Sequence, residues 1–178
     1  MDISFRVAVK GNNAMRGSLK RVAGNGRKVF PLLIAVMSLT GAHAMAAEGL
    51  TTIKSNHAPK ETMDRLEADV KSKGLTVFAR IDHAAGAAQV GLPLRPTELL
   101  IFGNAKGGTP LMQANQEIGI DLPLKILVWQ DQEGTTWLSY DEPSWLATRH
   151  GLGHSSEASV NTLGKVVSAL AAAAASSQ

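Results

Sequence analysis

The stretch from residue 99 to residue 131, LLIFGNAKGGTPLMQANQEIGIDLPLKILVWQD, constrains the fold more than any other part of the chain. Leu99-Leu100-Ile101-Phe102 is a short apolar run and reads as a buried strand. Gly103-Asn104 breaks it, and Lys106-Gly107-Gly108 keeps the backbone irregular. Thr109-Pro110 then opens a helix, with Thr109 as N-cap and Pro110 in the first helical position. Leu111, Ala114 and Ile118 share one face of it, and Gly119 ends it. After Asp121-Leu122-Pro123 a second apolar run, residues 124–129, forms another strand. The stretch therefore predicts strand, glycine loop, capped helix and strand in succession. It discloses an architecture and not a reaction.

The first 46 residues are of a different kind. Arg16, Lys20, Arg21, Arg27 and Lys28 precede an apolar run over residues 29–42, and Ala42-His43-Ala44 and Ala44-Met45-Ala46 both match the small-residue cleavage pattern. That order reads as a secretory signal peptide over residues 1–46, with the mature chain starting at Met45 or Ala47. The apolar run is short for a transmembrane span. The expectation is an exported protein, periplasmic or secreted, with no stable membrane span after cleavage. The leader holds seven of the 18 Lys and Arg residues and one of the 15 acids, which leaves 11 basic and 14 acidic residues and a formal charge of −3. The basic balance of the whole chain thus belongs to the leader, and no nucleic-acid partner is expected. There is no cysteine, which removes disulfides, thiolate metal sites and thiol nucleophiles.

Residues 47–155 read as one α+β domain and residues 156–178 as a C-terminal helix whose Ala/Ser tail frays. Residues 50–54 form a strand. A helix starts at Ala58-Pro59 and runs to Lys73, with Met63, Leu66 and Val70 on its apolar face and Glu61–Arg65, Glu67–Lys71 and Asp69–Lys73 as i, i+4 pairs. Residues 75–82 alternate, Leu75, Val77, Ala79 and Ile81 on one face and Thr76, Phe78, Arg80 and Asp82 on the other. A small helix follows, with Asp82 or His83 at its cap. Residues 125–130 and 135–140 pair as a hairpin. A two-residue turn at Glu133-Gly134 sets Trp129 opposite Leu138, but one residue more or less exchanges the faces, so the register stays open. Pro143 opens a helix that Gly151 closes, and Val160, Leu163, Val167 and Leu170 stripe the last one. This order argues for a mainly antiparallel sheet with helices on one face. Trp129, Trp137, Leu138 and Tyr140 spread over two faces of the hairpin, more apolar surface than one helix layer covers, which predicts a homodimer.

FGNAKGGTPLM (residues 102–112), IDLPLKILVW (120–129), WLSYDEPSWLATRHGL (137–152) and GLTVFARIDHAAGA (74–87) resemble the family known as domain of unknown function 302, over roughly residues 51–152. The resemblance implies a compact α+β fold of the TATA-binding-protein-like type, often paired as a dimer, and it implies no activity. The chain departs from the family pattern at Ala105 and Gln116, where proline is expected, and both changes loosen the backbone around the loop.

The candidate ligand site is the loop at residues 103–109 with the helix that follows, namely Asn104, Lys106, Gly107, Gly108 and Thr109. Backbone N–H groups there, with Lys106 nearby, suit a small-molecule or anionic ligand. The bland alternative is a tight turn in which the glycines supply positive φ, so that Gly108→Val strains the backbone. No Gly-Lys-Ser/Thr motif makes it a P-loop, and a small-molecule cleft beside the loop suits it better than a phosphate cradle. His83, beside Asp82, is an alternative acid–base residue. His150 and His154, four apart, are an alternative acid–base or metal pair, against which two intervening glycines count. Ser144 lacks the nucleophile-elbow context. No catalytic residue, metal or cofactor is assigned. Arg80, Arg95, Tyr140 and Arg149 are further cleft candidates that solvated faces explain equally well. The chain reads as an exported small-ligand-binding or interaction module, with a small enzyme or metal-binding protein as the alternative. Histidine and acid together in one apolar pocket mark the enzyme. A pocket of apolar groups and backbone amides marks the binding module.

Overall fold

The computed structural model describes residues 47–177. The leader with its cleavage sites lies outside the described residues. Five strands, β1 (Leu50–Lys54), β2 (Thr76–Asp82), β3 (Thr97–Gly103), β4 (Leu124–Gln130) and β5 (Thr136–Asp141), form one antiparallel sheet in the order β1-β5-β4-β3-β2. Helices α1 (Pro59–Ser72), α2 (His83–Gln89), α3 (Ala105–Ala114), α4 (Pro143–Arg149) and α5 (Glu157–Ala175) punctuate it, with short 3-10 turns at Gln116–Ile120 and His154–Ser156. The α+β class and the element order expected from the sequence hold.

Helices α1 and α5 cover one face of the sheet. Met63, Leu66 and Val70 of α1 and Val167 and Leu170 of α5 are buried against Leu100, Phe102, Leu124, Ile126, Val128, Leu138 and Tyr140. Alternation along β3, β4 and β5 sends those residues under the helices and their neighbours to the opposite face. A second, smaller cluster, Leu111, Ile118, Leu146 and Val160, joins α3 and α4 to the N-terminal half of α5. Leu122 and Leu163 pack against both clusters and mark the seam between them.

Three expectations are corrected. The alanine tail does not fray: Ala171, Ala174 and Ala175 are buried core residues. The end of α5 is tied to the start of α1, since the Asn56 N–H donates to the Ala175 carbonyl at 2.9 Å and Arg65 donates to the Ala173 and Ser176 carbonyls at 3.3 and 3.1 Å. An alanine run reads as tail because it lacks bulk, yet small residues are what allow a helix to lie close on a sheet and a neighbouring helix. The alternation of β2 is broken by a bulge. Val77 pairs with Phe102 and Ala79 with Ile101, so Phe78 is the extra residue. One extra residue reverses every later side chain. Arg80 consequently lies on the helix side, where it donates to Glu98 at 2.6 Å, Asp64 at 2.7 Å and Glu67 at 3.1 Å. Of the three helix pairs expected on α1, Glu67–Lys71 is formed, at 2.6 Å, while Glu61 meets His57 and Asp64 meets Lys60.

The hairpin closes through Gln132, Glu133 and Gly134, one residue more than a two-residue turn. The Asp131 N–H donates to the Thr135 carbonyl at 3.0 Å, and Gly134 takes φ +80°. Trp129 therefore stands opposite Trp137, their rings stacked with centroids 6.3 Å apart. Leu138 and Tyr140 lie beneath the helices. Both tryptophans lie on the other face, with Leu99 and Leu127.

Candidate functional site

The chain leaves β3 at Gly103 and turns straight into α3. Asn104 is extended, at φ −150° and ψ 159°, and its Oδ1 accepts the Gly107 N–H at 2.7 Å. Its carbonyl accepts the N–H groups of Gly107 and Gly108 at 3.3 and 3.2 Å. Asn104 is thus the N-cap, and residues 105–108, expected to be loop, are the first turn of the helix. Thr109 is an exposed residue inside the helix and not its cap, and Pro110 also lies inside the helix rather than at its first position. The helix ends at Ala114, and Ile118 and Gly119 belong to the separate 3-10 turn. Two adjacent glycines suggest a loop because glycine is a poor helix former. Neither has positive φ here; the turn-only reading of these glycines is corrected with it.

What the glycines supply is the absence of side chains. A cavity of about 470 Å³ opens beside this first turn. Gly107, Gly108 and Met112 of α3 form one side of it, Leu163 and Val166 of α5 another, Leu122, Pro123 and Leu124 a third, and Leu75 and Phe78 of the β2 region a fourth. It sits at the seam between the two apolar clusters, where side chains of both are only partly covered. A Cβ on Gly108 would stand 3.7 Å from Leu122 Cδ1 and 3.7 Å from Met112 Cε, ordinary contact distances. A Cβ on Gly107 would meet Leu163 Cδ2 at 3.1 Å and the capping Asn104 Oδ1 at 3.2 Å.

The polar lining is sparse. Asn104 and Thr162 contribute, and Lys106 is the one charged residue among those around the cavity. The amides of Gly107 and Gly108 are held by Asn104. Only those of Ala105 and Lys106 remain at the helix end, without intrahelical acceptors. Four of the five expected ligand residues, Asn104, Lys106, Gly107 and Gly108, therefore border the cavity, and Thr109 does not. An array of amides around a phosphate is not what the geometry provides. An apolar hollow with one cation beside it is.

The bulge in β2 brings Phe78 to this hollow with 57% of its surface exposed. Sequence reading missed it, together with Met112, Leu122, Leu163, Thr162 and Val166. One signal was present: a phenylalanine on the face of β2 assigned to polar residues.

The histidines are placed apart. His83 is the exposed first residue of α2, and Asp82 accepts the Ala85 N–H at 2.8 Å as the cap of that helix. The His154 side chain is fully exposed, 3.9 Å from Glu157. His150 is 9% exposed and its Nε2 lies 2.6 Å from Asp121 Oδ2, while Asn115 Nδ2 donates to its carbonyl at 2.8 Å. His150 and His154 do not converge, and among the described residues no three His, Cys, Asp or Glu side chains gather as metal ligands. The His150–Asp121 pair fastens the end of α4 to the segment that enters β4, one residue before the cavity wall at Leu122. None of the other charged candidates borders the cavity either. Arg80 is engaged by three acids, Arg95 Nε donates to the Gln130 carbonyl at 3.0 Å, Tyr140 is buried in the core, and Arg149 lies over the Trp145 ring at 5.5 Å. Burial raises the Tyr140 hydroxyl pKa.

Comparison with known proteins gives a consistent family. The family described as Domain of unknown function DUF302 matches residues 51–170. A protein named fluoride-specific ion channel FluC 1 from Brucella suis is 50% identical over 115 residues, which are 65% of this chain and 45% of that protein. FluC 2 of Brucella melitensis is likewise 50% identical over 115 residues, 43% of its length. The chain thus spans less than half the length of these curated relatives. A crystal structure of an uncharacterised conserved DUF302 protein from Bacillus stearothermophilus superposes with a TM-score of 0.62 at 23% identity, covering 70% of this chain and 96% of that one, a likeness of fold. With the family pattern running through most of the described strands and helices, the chain belongs to the DUF302 family.

Proposed function

We propose that this protein is a small-ligand-binding module that holds an apolar molecule in the cavity beside the first turn of α3. The observation that carries the reading is the pair Gly107-Gly108. Their backbone is helical and needs no glycine, yet side chains there would enter or crowd the cavity. The volume falls within the ~300–1,000 Å³ of small-molecule sites, which are mostly apolar with a few placed polar groups. No histidine and no carboxylate belongs to the lining, which favours binding over an acid–base enzyme. Native mass spectrometry of protein purified without denaturation tests the reading. The expected result is a bound small molecule that is absent from Gly108→Leu. Ligand-free protein that also binds nothing when challenged with apolar compounds contradicts it.

The proposed setting is outside the cytoplasm, supported by the basic, apolar and small-residue order of the first 46 residues. Intact mass of the exported form is expected to start at Met45 or Ala47; a full-length mass there contradicts it. The proposed assembly is a symmetric homodimer through the open face of the sheet, supported by the stacked Trp129 and Trp137 and by Ile81, which is 39% exposed. Ion conduction, the activity in the Brucella names, is not proposed here. The one helical segment among the described residues that is apolar and long enough to cross a membrane spans His154–Ala175, and its apolar stripe is core packing on the sheet.

A further inference from the structure

We infer that the ligand is a single-tailed anionic amphiphile, with an alkyl chain in the cavity and a carboxylate or similar anionic head beside Lys106. This rests on the cavity being a binding site. Three observations point to the head group. Lys106 is the one charged residue around the cavity, in a domain whose acids outnumber its bases. Among the described residues its ammonium forms no ion pair, as holds also for Lys54, Lys73, Lys125 and Lys165, but of these Lys106 alone borders the cavity. It also occupies the first turn of α3, where the helix dipole is positive and no acidic residue offsets it. A cation there is electrostatically unfavourable until an anion arrives, and the unpaired amides of Ala105 and Lys106 add to the pull on that anion.

The rest of the site suits a chain. Leu122, Met112, Leu163 and Val166 offer aliphatic walls with no charged group, so a second charge on the ligand would be desolvated without a partner. Gly108 projects no side chain into the space beside Leu122 and Met112. Phe78, more than half exposed, gains cover when a chain lies against it. A bare anion fills none of this volume, and a neutral or cationic amphiphile leaves Lys106 unsatisfied or repelled.

Calorimetric titration of the purified protein with octanoate, octan-1-ol and octyltrimethylammonium separates the alternatives. Octanoate is expected to bind about 3–5-fold more tightly than octan-1-ol, as an exposed charge pair contributes modestly, and octyltrimethylammonium most weakly. Decanoate is expected to bind about tenfold more tightly than octanoate from its two added methylenes. Lys106→Ala, at an exposed position, is expected to bring octanoate down to octan-1-ol and to abolish the weakening of octanoate by salt. Octan-1-ol matching octanoate in the wild type, or octanoate binding unaltered by Lys106→Ala, overturns the anionic head while the cavity stands. Binding of neither octanoate nor octan-1-ol, or binding of both undiminished in Gly108→Leu, overturns the cavity and the inference together.

Discussion

Gly108 and Leu122 both border the cavity, and a Cβ added to Gly108 would come to 3.7 Å from Leu122 Cδ1, in ordinary contact and without strain. A side chain at this position is therefore tolerated by the fold and opposed only by whatever occupies the hollow. Replacing a helical glycine by alanine gains about 0.5–1 kcal/mol. Gly108→Ala is expected to raise the melting temperature of ligand-free protein by a few degrees, and Gly108→Leu to fill the hollow and abolish binding. Circular dichroism melts check the first effect and titration the second. A Gly108→Ala protein that melts lower than wild type would show that this glycine is needed for its backbone.

Ala105 is the first residue of α3 and follows an extended Asn104. That is the position where a proline ring fits, since its missing N–H has no intrahelical partner and the residue before it is already extended. Ala105→Pro is expected to stabilise by about 0.4–1 kcal/mol through the unfolded state. Chemical denaturation measures it, and a loss of stability would mean that the Ala105 amide has a partner that matters.

Most of the fold was legible because it rests on local patterns: the apolar face of α1 at Met63, Leu66 and Val70, the Asp82 cap of α2, and the apolar runs of β3 and β4. The errors have a common physical origin. At α3 the sequence was read with Thr109 as N-cap, because glycine propensity argues against a helix through residues 107 and 108; in the folded chain, with α3 packed against α5, the cap is Asn104. In β2 the bulge shows in the sequence only as a phenylalanine on the face of polar residues, yet it reverses Arg80 and places an aromatic ring at the cavity. The glycine stretch at residues 103–108 stood out by its composition, and the structure sets it beside the cavity. The cavity itself was not legible, because Leu122, Leu163 and Phe78 come from three distant segments. His150 was singled out, but its partner Asp121 was not, since a contact across 29 positions has no local signature.

The C-terminal alanines carry part of the core. Removing residues 171–178 deletes buried Ala171, Ala174 and Ala175 and the carbonyls that receive Asn56 and Arg65. The truncated chain is expected to lose several kcal/mol, beyond what a surface tail contributes. Urea unfolding of the two chains compares them directly. Equal midpoints would mean that the tail frays in solution.

Acid sensitivity follows from three carboxyls held below their ordinary pKa. The Trp137 indole N–H, at 2.7 Å, lowers Asp131 most; Lys60 and then Arg80 lower Asp64; Lys71 and then Arg80 lower Glu67. A carboxyl with a depressed folded pKa stabilises the protein above its unfolded value and loses that contribution as pH falls through the folded one. With ordinary values of 3.8 for Asp and 4.5 for Glu, these groups hold the melting temperature level down to about pH 5 and then lower it. Asp131→Asn is expected to melt below wild type at pH 7 and to converge with it as the pH falls from 3.8 through the lowered pKa of Asp131. Melting curves that stay parallel across that range would remove Asp131 from the acid response.

The open face of the sheet predicts its own test. Leu127 lies on that face next to the Trp129–Trp137 pair. Leu127→Arg places a charge at the centre of an apolar contact and is expected to convert a dimer into a monomer with its secondary structure intact. Light scattering at micromolar concentration reads the mass. A monomeric wild type contradicts the dimer.

The most direct measurement is a methyl-resolved NMR titration of the folded protein with octanoate. Shifts are expected to concentrate on Leu122, Met112, Leu163 and Val166 around the cavity, with Leu146 and Val160 of the smaller cluster changing little and Leu99 and Leu127 of the open face not at all. Shifts confined to the open face, or spread evenly over every methyl group, would contradict a ligand site beside the first turn of α3.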